Sequence, residues 1–185
     1  RKLILPRRSP VVAHKYAEIW LPGGSPLAVY TEQLAHAVQQ RLPQWKVLHA
    51  MRYGAPALAD TLQQLQAEGT SQLRVLPLYP QYSTTTTASV ADVVAMRAHR
   101  MQVQMLHDYH ADAGWAQAIA ASIRAHWAAH GRAEKLVLSF HGIPQRLVNQ
   151  GDPYAAHCEG SANAIAGALG LPRTELLLTY QSRFG

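Results

Sequence analysis

Apolar and polar positions along the chain follow two alternating periods, one typical of helices and one typical of short buried strands. Ser25 followed by Pro26 predicts the start of a helix, because Ser is a favoured N-cap and Pro is favoured at the first helical position. Helical spacing covers residues 9–20, 26–42, 57–68, 89–99, 112–130 and 154–169. Short apolar runs predict strands at residues 46–52, 73–78, 103–107, 135–140 and 175–180.

From residue 46 onward, predicted strands and helices follow one another in strict turn. Such alternation predicts an α/β fold with parallel sheets that helices cover on both faces. We expect the long helix at 112–130 to join two similar three-layer lobes of the Rossmann or flavodoxin type, residues 1–111 and 112–185. A single unbroken sheet remains the alternative. Since ligands of open α/β sheets bind outside the carboxyl ends of the strands, those ends are the places to search for function.

Composition narrows the class of protein. The chain has 17 Lys and Arg against 11 Asp and Glu, a formal charge of +6, but the basic residues are scattered rather than gathered in a stripe. We therefore expect no nucleic-acid partner; anionic small molecules or a peripheral membrane contact fit the charge. A single cysteine, Cys158, excludes an internal disulfide or a structural zinc site built on several thiols, which favours a cytoplasmic location. The sequence indicates no oligomeric state.

The clearest chemical signal is a histidine at a predicted strand end. The strand at 135–140 runs into the sequence Ser-Phe-His-Gly-Ile-Pro at residues 139–144, which places His141 where the strand breaks. Imidazole changes charge near neutral pH, so His141 could accept a proton or bind iron as a neutral nitrogen ligand. A hydrogen-bonded turn histidine without catalytic function is the equally weighted alternative.

The other strand ends carry aromatic, cationic and hydroxyl side chains. Arg52 and Tyr53 follow one strand, and Tyr82 and Ser83 follow another. Hydroxyls at such positions usually cap a helix, but with backbone N–H groups they can also hold a carboxylate. Together these residues suit a flat aromatic ligand that bears acid groups. Asp152, in the sequence Gly-Asp-Pro-Tyr, is interpreted as a helix cap.

Five short motifs together closely resemble the ferrochelatase family. They are Ser-Phe-His-Gly-Ile-Pro at 139–144, Asn-Gln-Gly-Asp-Pro-Tyr at 149–154, Tyr-Pro-Gln-Tyr-Ser at 79–83, Gln-Ser-Arg-Phe-Gly at 181–185, and Arg-Arg-Ser-Pro at 7–10 with Tyr16 and Gly-Gly-Ser-Pro at 23–26. The motifs stand in the family's order and span nearly the whole chain. The resemblance implies a chelatase-like fold of two similar lobes, in a sequence that we expect to be part of a longer chain.

The resemblance also implies roles for individual residues. His141 matches the family's active-site histidine, which removes pyrrole protons or holds the incoming iron. Arg8, Tyr16 and Ser25 match positions that contact the porphyrin and its propionates, although Ser25 also has the signature of an N-cap. A family glutamate that works opposite the histidine has no counterpart here, so we expect this stretch alone to be inactive.

The implied function is insertion of ferrous iron into protoporphyrin IX, with Fe²⁺ and the porphyrin as substrates and no organic cofactor. Alternatives are a chelatase for another metal or for coproporphyrin, or a non-catalytic porphyrin-binding domain. Some relatives carry an iron–sulfur cluster on four cysteines, and with Cys158 as the single thiol in view we interpret it as structural and do not expect such a cluster within this stretch.

Overall fold

The computed structural model describes residue 14 and residues 17–182. The chain divides into two compact units, Arg1–Gln64 and Leu65–Gly185. The sequence-based lobe boundary at 111/112 therefore falls inside the second unit, and the division into two similar lobes stays a prediction.

In the first unit, helix α1 spans Pro26–Arg41, and helix α2, Leu58–Ala67, begins there and runs into the second unit. The Ser25 hydroxyl accepts a hydrogen bond from the Ala28 backbone N–H at 3.2 Å, which confirms the predicted N-cap. Of the helix predicted at 9–20, residues 14, 17 and 18 are helical, and residues 9–13, 15 and 16 lie outside the described residues.

The strand predicted at 46–52 is wrong. Its burial alternates only over residues 46–49, and it forms no ladder with the described residues and makes only an isolated bridge between Met51 and Ala57. The segment is instead held by Gln39, whose side-chain amide donates to the Trp45 carbonyl at 2.7 Å and accepts from the Val47 N–H at 2.8 Å. An alternating pattern makes a strand only when a neighbouring strand supplies hydrogen-bond partners.

The second unit continues the alternation of strands and helices. The predicted elements are present, with ends shifted by a few residues. One short α-helix and one 3₁₀ turn are also present, and both are too short to be predicted from periodicity. The elements are β1 (Gln72–Val75), α3 (Thr87–Arg97), β2 (Gln102–Met105), α4 (Ala113–His130), β3 (Leu136–His141), α5 (Gln145–Asn149), α6 (Tyr154–Leu169), a 3₁₀ turn (Arg173–Glu175) and β4 (Leu176–Gln181).

Strands β1 and β2 pair in parallel, and so do β3 and β4, which confirms the α/β class with parallel strands. The strand predicted at 73–78 ends earlier, at Val75, and Leu76 and Leu78 beyond it are 57% and 45% exposed rather than buried. The chain turns away there because two prolines, Pro77 and Pro80, lack the N–H that a ladder needs.

Helix α6 covers one face of the β3–β4 pair. Ala162 and Ala166 of the helix pack on Leu176, with Leu136 and Leu138 at the edge of this core. The two alanines let the helix approach the sheet closely, because a methyl group adds little bulk. Of the helices among residues 17–182, none is long and apolar enough to cross a bilayer.

Candidate functional site

His141 is the last residue of β3 and stands opposite Gln181, the last residue of β4. Its side chain is exposed, and its Nδ1 atom lies 2.8 Å from the Gly142 carbonyl oxygen. The imidazole is thus presented at the carboxyl end of a parallel strand pair, where the sequence pattern predicted it. Its chemical role stays a prediction.

Backbone geometry beyond the strand ends fixes this position. The Gly142 N–H donates to the Gln181 carbonyl at 2.7 Å, and a Cβ on Gly142 would lie only 2.8 Å from the Ser182 carbonyl oxygen. Ser182 has a φ of 64°, a left-handed conformation that costs a non-glycine residue about 1 kcal/mol. The two chain segments therefore converge so closely that only glycine fits next to His141.

Helix α6 brings a phenol and a thiol behind the strand end. The Tyr154 hydroxyl hydrogen-bonds to the backbone of His141, and the Cys158 thiol hydrogen-bonds to both Tyr154 and Tyr180. Burial raises the pKa of Cys158 to about 11 and that of Tyr180 to about 12, and burial together with Cys158 raises the pKa of Tyr154 further. All three groups are therefore neutral at pH 7; Tyr154 ties α6 to the end of β3, and Cys158 ties α6 to Tyr180 of β4.

Asp152 is a junction between α6 and the loop before α3. Its Oδ2 atom accepts hydrogen bonds from the Ser83 hydroxyl (2.9 Å), the Thr84 N–H (2.8 Å) and the Thr84 hydroxyl (2.6 Å). Its Oδ1 atom accepts from the N–H of Tyr154, the first residue of α6, at 3.0 Å, although Pro153 rather than Asp152 occupies the N-cap position. Burial alone would raise the pKa of Asp152, but these hydrogen bonds outweigh burial and lower the pKa.

The predicted ligand-binding hydroxyl of Ser83 is fully buried and donates to Asp152. Tyr82 is half-buried; its backbone N–H donates to His157 Nδ1 at 3.2 Å, and its ring centroid lies 6.5 Å from that of His107. Contact of either side chain with a porphyrin stays a prediction.

The remaining predicted porphyrin contacts belong to the first unit. Arg52 lies over the ring of Tyr53 at 4.6 Å in a cation–π contact, and Tyr53 is 76% exposed. Ser25 is half-buried and caps α1. Arg8 and Tyr16 lie outside the described residues.

Sequence reasoning missed one group of possible metal ligands. Among the described residues, Asp108, His110 and His157 form the one set of three or more such side chains close enough to share an ion, and His141 is not part of it. Asp108 and His110 follow β2, and this position at a strand end could have marked them as candidate ligands in the sequence. His157 comes close to them only because α6 packs against this loop, which the sequence does not reveal.

A family model described as ferrochelatase matches residues 1–185, the whole chain. The chain is similar to curated proteins named ferrochelatase: 59% identical to one from Xanthomonas axonopodis pv. citri over 99% of this chain, and 58% identical to one from Stenotrophomonas maltophilia over 100%. A more distant one from Klebsiella pneumoniae is 43% identical over 100% of this chain. The chain spans 58% to 59% of the length of these relatives.

Proposed function

We propose, from the premise that this chain belongs to the ferrochelatase family, that the protein inserts ferrous iron into protoporphyrin IX to give protohaem. The observation that carries the proposal is the exposed imidazole of His141 at the end of β3, in a chain that the family model matches over its whole length.

Metal insertion needs a base because two pyrrole N–H protons occupy the place that the ion must take. As Fe²⁺ enters, two protons leave, so the net charge at the centre of the ring does not change. His141 is exposed and can accept such a proton through an imidazole nitrogen, and the hydrogen bond from its backbone to Tyr154 holds it in place. In this proposal His141 accepts one of the two protons at Nε2, since Nδ1 faces the Gly142 carbonyl oxygen, and the second proton passes to solvent. Holding the incoming iron is the alternative role for the same nitrogen.

The porphyrin must also be gripped and bent, since a planar ring hides its nitrogen lone pairs. We propose that Arg8, Tyr16, Ser25, Arg52, Tyr53, Tyr82 and Ser83 contact the ring and its propionates. Binding energy at the propionates can then hold the ring in the puckered shape that favours insertion. The Arg52–Tyr53 pair supports this proposal because it places a half-buried cation over an exposed aromatic ring.

The proposal includes a cytoplasmic location, with peripheral membrane contact as the place where a poorly soluble porphyrin is collected. Iron and porphyrin are substrates, and neither an organic cofactor nor an iron–sulfur cluster has a step in the mechanism. Cys158 is fully buried and hydrogen-bonds to two tyrosines, which supports the interpretation that its role is structural.

The test is iron insertion by the full protein and by its His141→Ala variant, followed as the absorbance change on haem formation under anaerobic conditions. We expect the variant to lose about 100-fold or more of the rate, the usual contribution of a general base. Porphyrin binding, measured by quenching of protein fluorescence, should remain within about threefold because the ring contacts are retained.

The matched control is His36→Ala, which removes an exposed histidine on α1 whose Nε2 atom lies 3.9 Å from Glu32 Oε1 on the same helix. Its insertion rate should equal that of the parent protein. Normal turnover by His141→Ala would contradict the proposed role, and porphyrin binding without insertion by the parent protein would identify a porphyrin carrier instead. Competition with Co²⁺ and with coproporphyrin distinguishes the alternative chelatases.

A further inference from the structure

Three side chains of types that can bind a metal ion meet beside the β1–β2 sheet. Asp108 and His110 lie in the loop after β2, and His157 lies in the first half of α6. One ligand atom from each lies within 4.8 Å of the others. His110 Nδ1 is 2.7 Å from Asp108 Oδ1. The two imidazole rings stack with centroids 3.8 Å apart and planes 13° apart, so one ring must turn about its side-chain bonds before a nitrogen of each can face the same ion. We call these residues the His–His–Asp cluster.

The loop that carries Asp108 and His110 is anchored to its surroundings by backbone contacts. The Ser161 hydroxyl of α6 donates to the His110 carbonyl at 2.8 Å, and the Gln81 amide donates to that same hydroxyl at 2.7 Å. The Tyr109 N–H donates to the Pro80 carbonyl at 2.9 Å. Because the loop is already held, an ion would not have to order it, and the entropic cost of binding is reduced.

Each imidazole also has a contact of its own. His157 Nδ1 accepts the backbone N–H of Tyr82 at 3.2 Å, which leaves Nε2 as the nitrogen that can bind an ion. His110 packs against Gly160, where a Cβ would lie 2.7 Å from the His110 Cδ2 atom.

We propose that Asp108, His110 and His157 bind a divalent transition-metal ion such as Zn²⁺, Co²⁺ or Fe²⁺. Two imidazole nitrogens and one carboxylate oxygen suit these ions, whereas Mg²⁺ and Ca²⁺ prefer oxygen ligands alone. Three protein ligands leave at least one position for water or for another molecule. The side chains of His110 and Asp108 are 23% and 39% exposed, so the ion can reach the cluster from solvent.

This inference does not rest on the proposed function. The cluster shares no residue with the end of β3, and its ion would be bound rather than consumed. Metal titrations of the His141→Ala variant distinguish the His–His–Asp cluster from the proposed insertion site, because that variant removes His141 and leaves all three cluster residues intact.

The experiment is calorimetric titration of the full protein carrying His141→Ala with ZnSO₄, together with visible absorption of its Co²⁺ complex. We compare this parent with two further substitutions, Asp108→Asn and His157→Gln, which keep the size and hydrogen-bonding capacity of the residue. We expect each to weaken Zn²⁺ binding by about 100-fold or more, since even residues that only support a ligand contribute about 10–100-fold. The d–d bands of bound Co²⁺ should be lost with Zn²⁺ affinity.

The matched control is His126→Ala. His126 and His130 also stack, at 4.3 Å on the exposed face of α4, and no carboxylate of residues 17–182 lies close enough to share an ion with both. The proposal is overturned if the parent binds no Zn²⁺, if both cluster variants bind as tightly as the parent, or if His126→Ala removes the binding. Circular dichroism checks the fold of each variant, and if His157→Gln fails to fold, Asp108→Asn decides the result.

Discussion

At the scale of single residues, the close approach of two backbone segments, one after β3 and one after β4, fixes the geometry at the end of β3. Gly142 follows His141 directly, and its Cα faces the Ser182 and Gln181 carbonyl oxygens. A side chain at this position would push the ends of β3 and β4 apart and so displace the imidazole. Gly167 in α6 is a useful contrast, since a Cβ there meets nothing within 4 Å.

We predict that Gly142→Ala destabilises the fold by about 1–3 kcal/mol, the usual cost of forcing a methyl group into a filled space. Gly167→Ala should instead stabilise it by about 0.5–1 kcal/mol, because alanine is the better helix former. Urea unfolding measures both free energies. Equal stability of Gly142→Ala and the parent would contradict the closeness of the two strand ends.

At the scale of elements, one carboxylate joins two segments that are far apart in sequence. Asp152 accepts the first N–H of α6, that of Tyr154, and also accepts three hydrogen bonds from Ser83 and Thr84 in the loop before α3. Asp112 caps α4 through a single bond, from the Trp115 N–H at 2.8 Å. The two aspartates therefore share a capping function but differ in what else they hold.

We predict that Asp152→Asn costs about 2–3 kcal/mol at pH 7, because hydrogen bonds to a charged acceptor are lost. Asp112→Asn should cost less than about 0.5 kcal/mol, since Asn and Asp cap helices equally well. Folding lowers the pKa of Asp152, so its contribution is present above the ordinary value of 3.8 and is lost as pH falls through the folded value.

The measurement for this pair is the free energy of urea unfolding as a function of pH. The difference in unfolding free energy between the parent and Asp152→Asn should decrease as pH falls below about 4, because a carboxyl group in the unfolded chain takes up its proton in this range. A gap that stays constant down to about pH 3 would show that the charge of Asp152 does not stabilise the fold.

At the scale of the whole molecule, the residues proposed to contact the porphyrin are divided between two compact units. Ser25, Arg52 and Tyr53 lie in the unit that ends at Gln64, and Tyr82 and His141 lie in the unit that begins at Leu65. The formal charge of +6 is the sum over the whole chain. A net positive charge attracts a dicarboxylate porphyrin before any specific contact forms.

We predict that the association rate of protoporphyrin IX falls about 10-fold between low salt and about 0.5 M NaCl, because salt screens long-range attraction. Stopped-flow fluorescence measures this rate. The dimethyl ester of the same porphyrin, which has no carboxylate charge, should change by less than about twofold. Equal salt dependence for both porphyrins would exclude electrostatic steering and leave the proposed reaction untouched.

The sequence by itself determined the α/β class, the parallel strands, the Ser25 cap and the position of His141 at a strand end, because each depends on residues close together in the chain. Tertiary structure decided the absence of a ladder at 46–52 within the described residues, the burial of Ser83 against Asp152 and the approach of His157 to Asp108 and His110. Those features join residues that are far apart in sequence. Periodicity and capping cannot encode such pairs, since only the packing of α6 against the loops before α3 and after β2 brings them together.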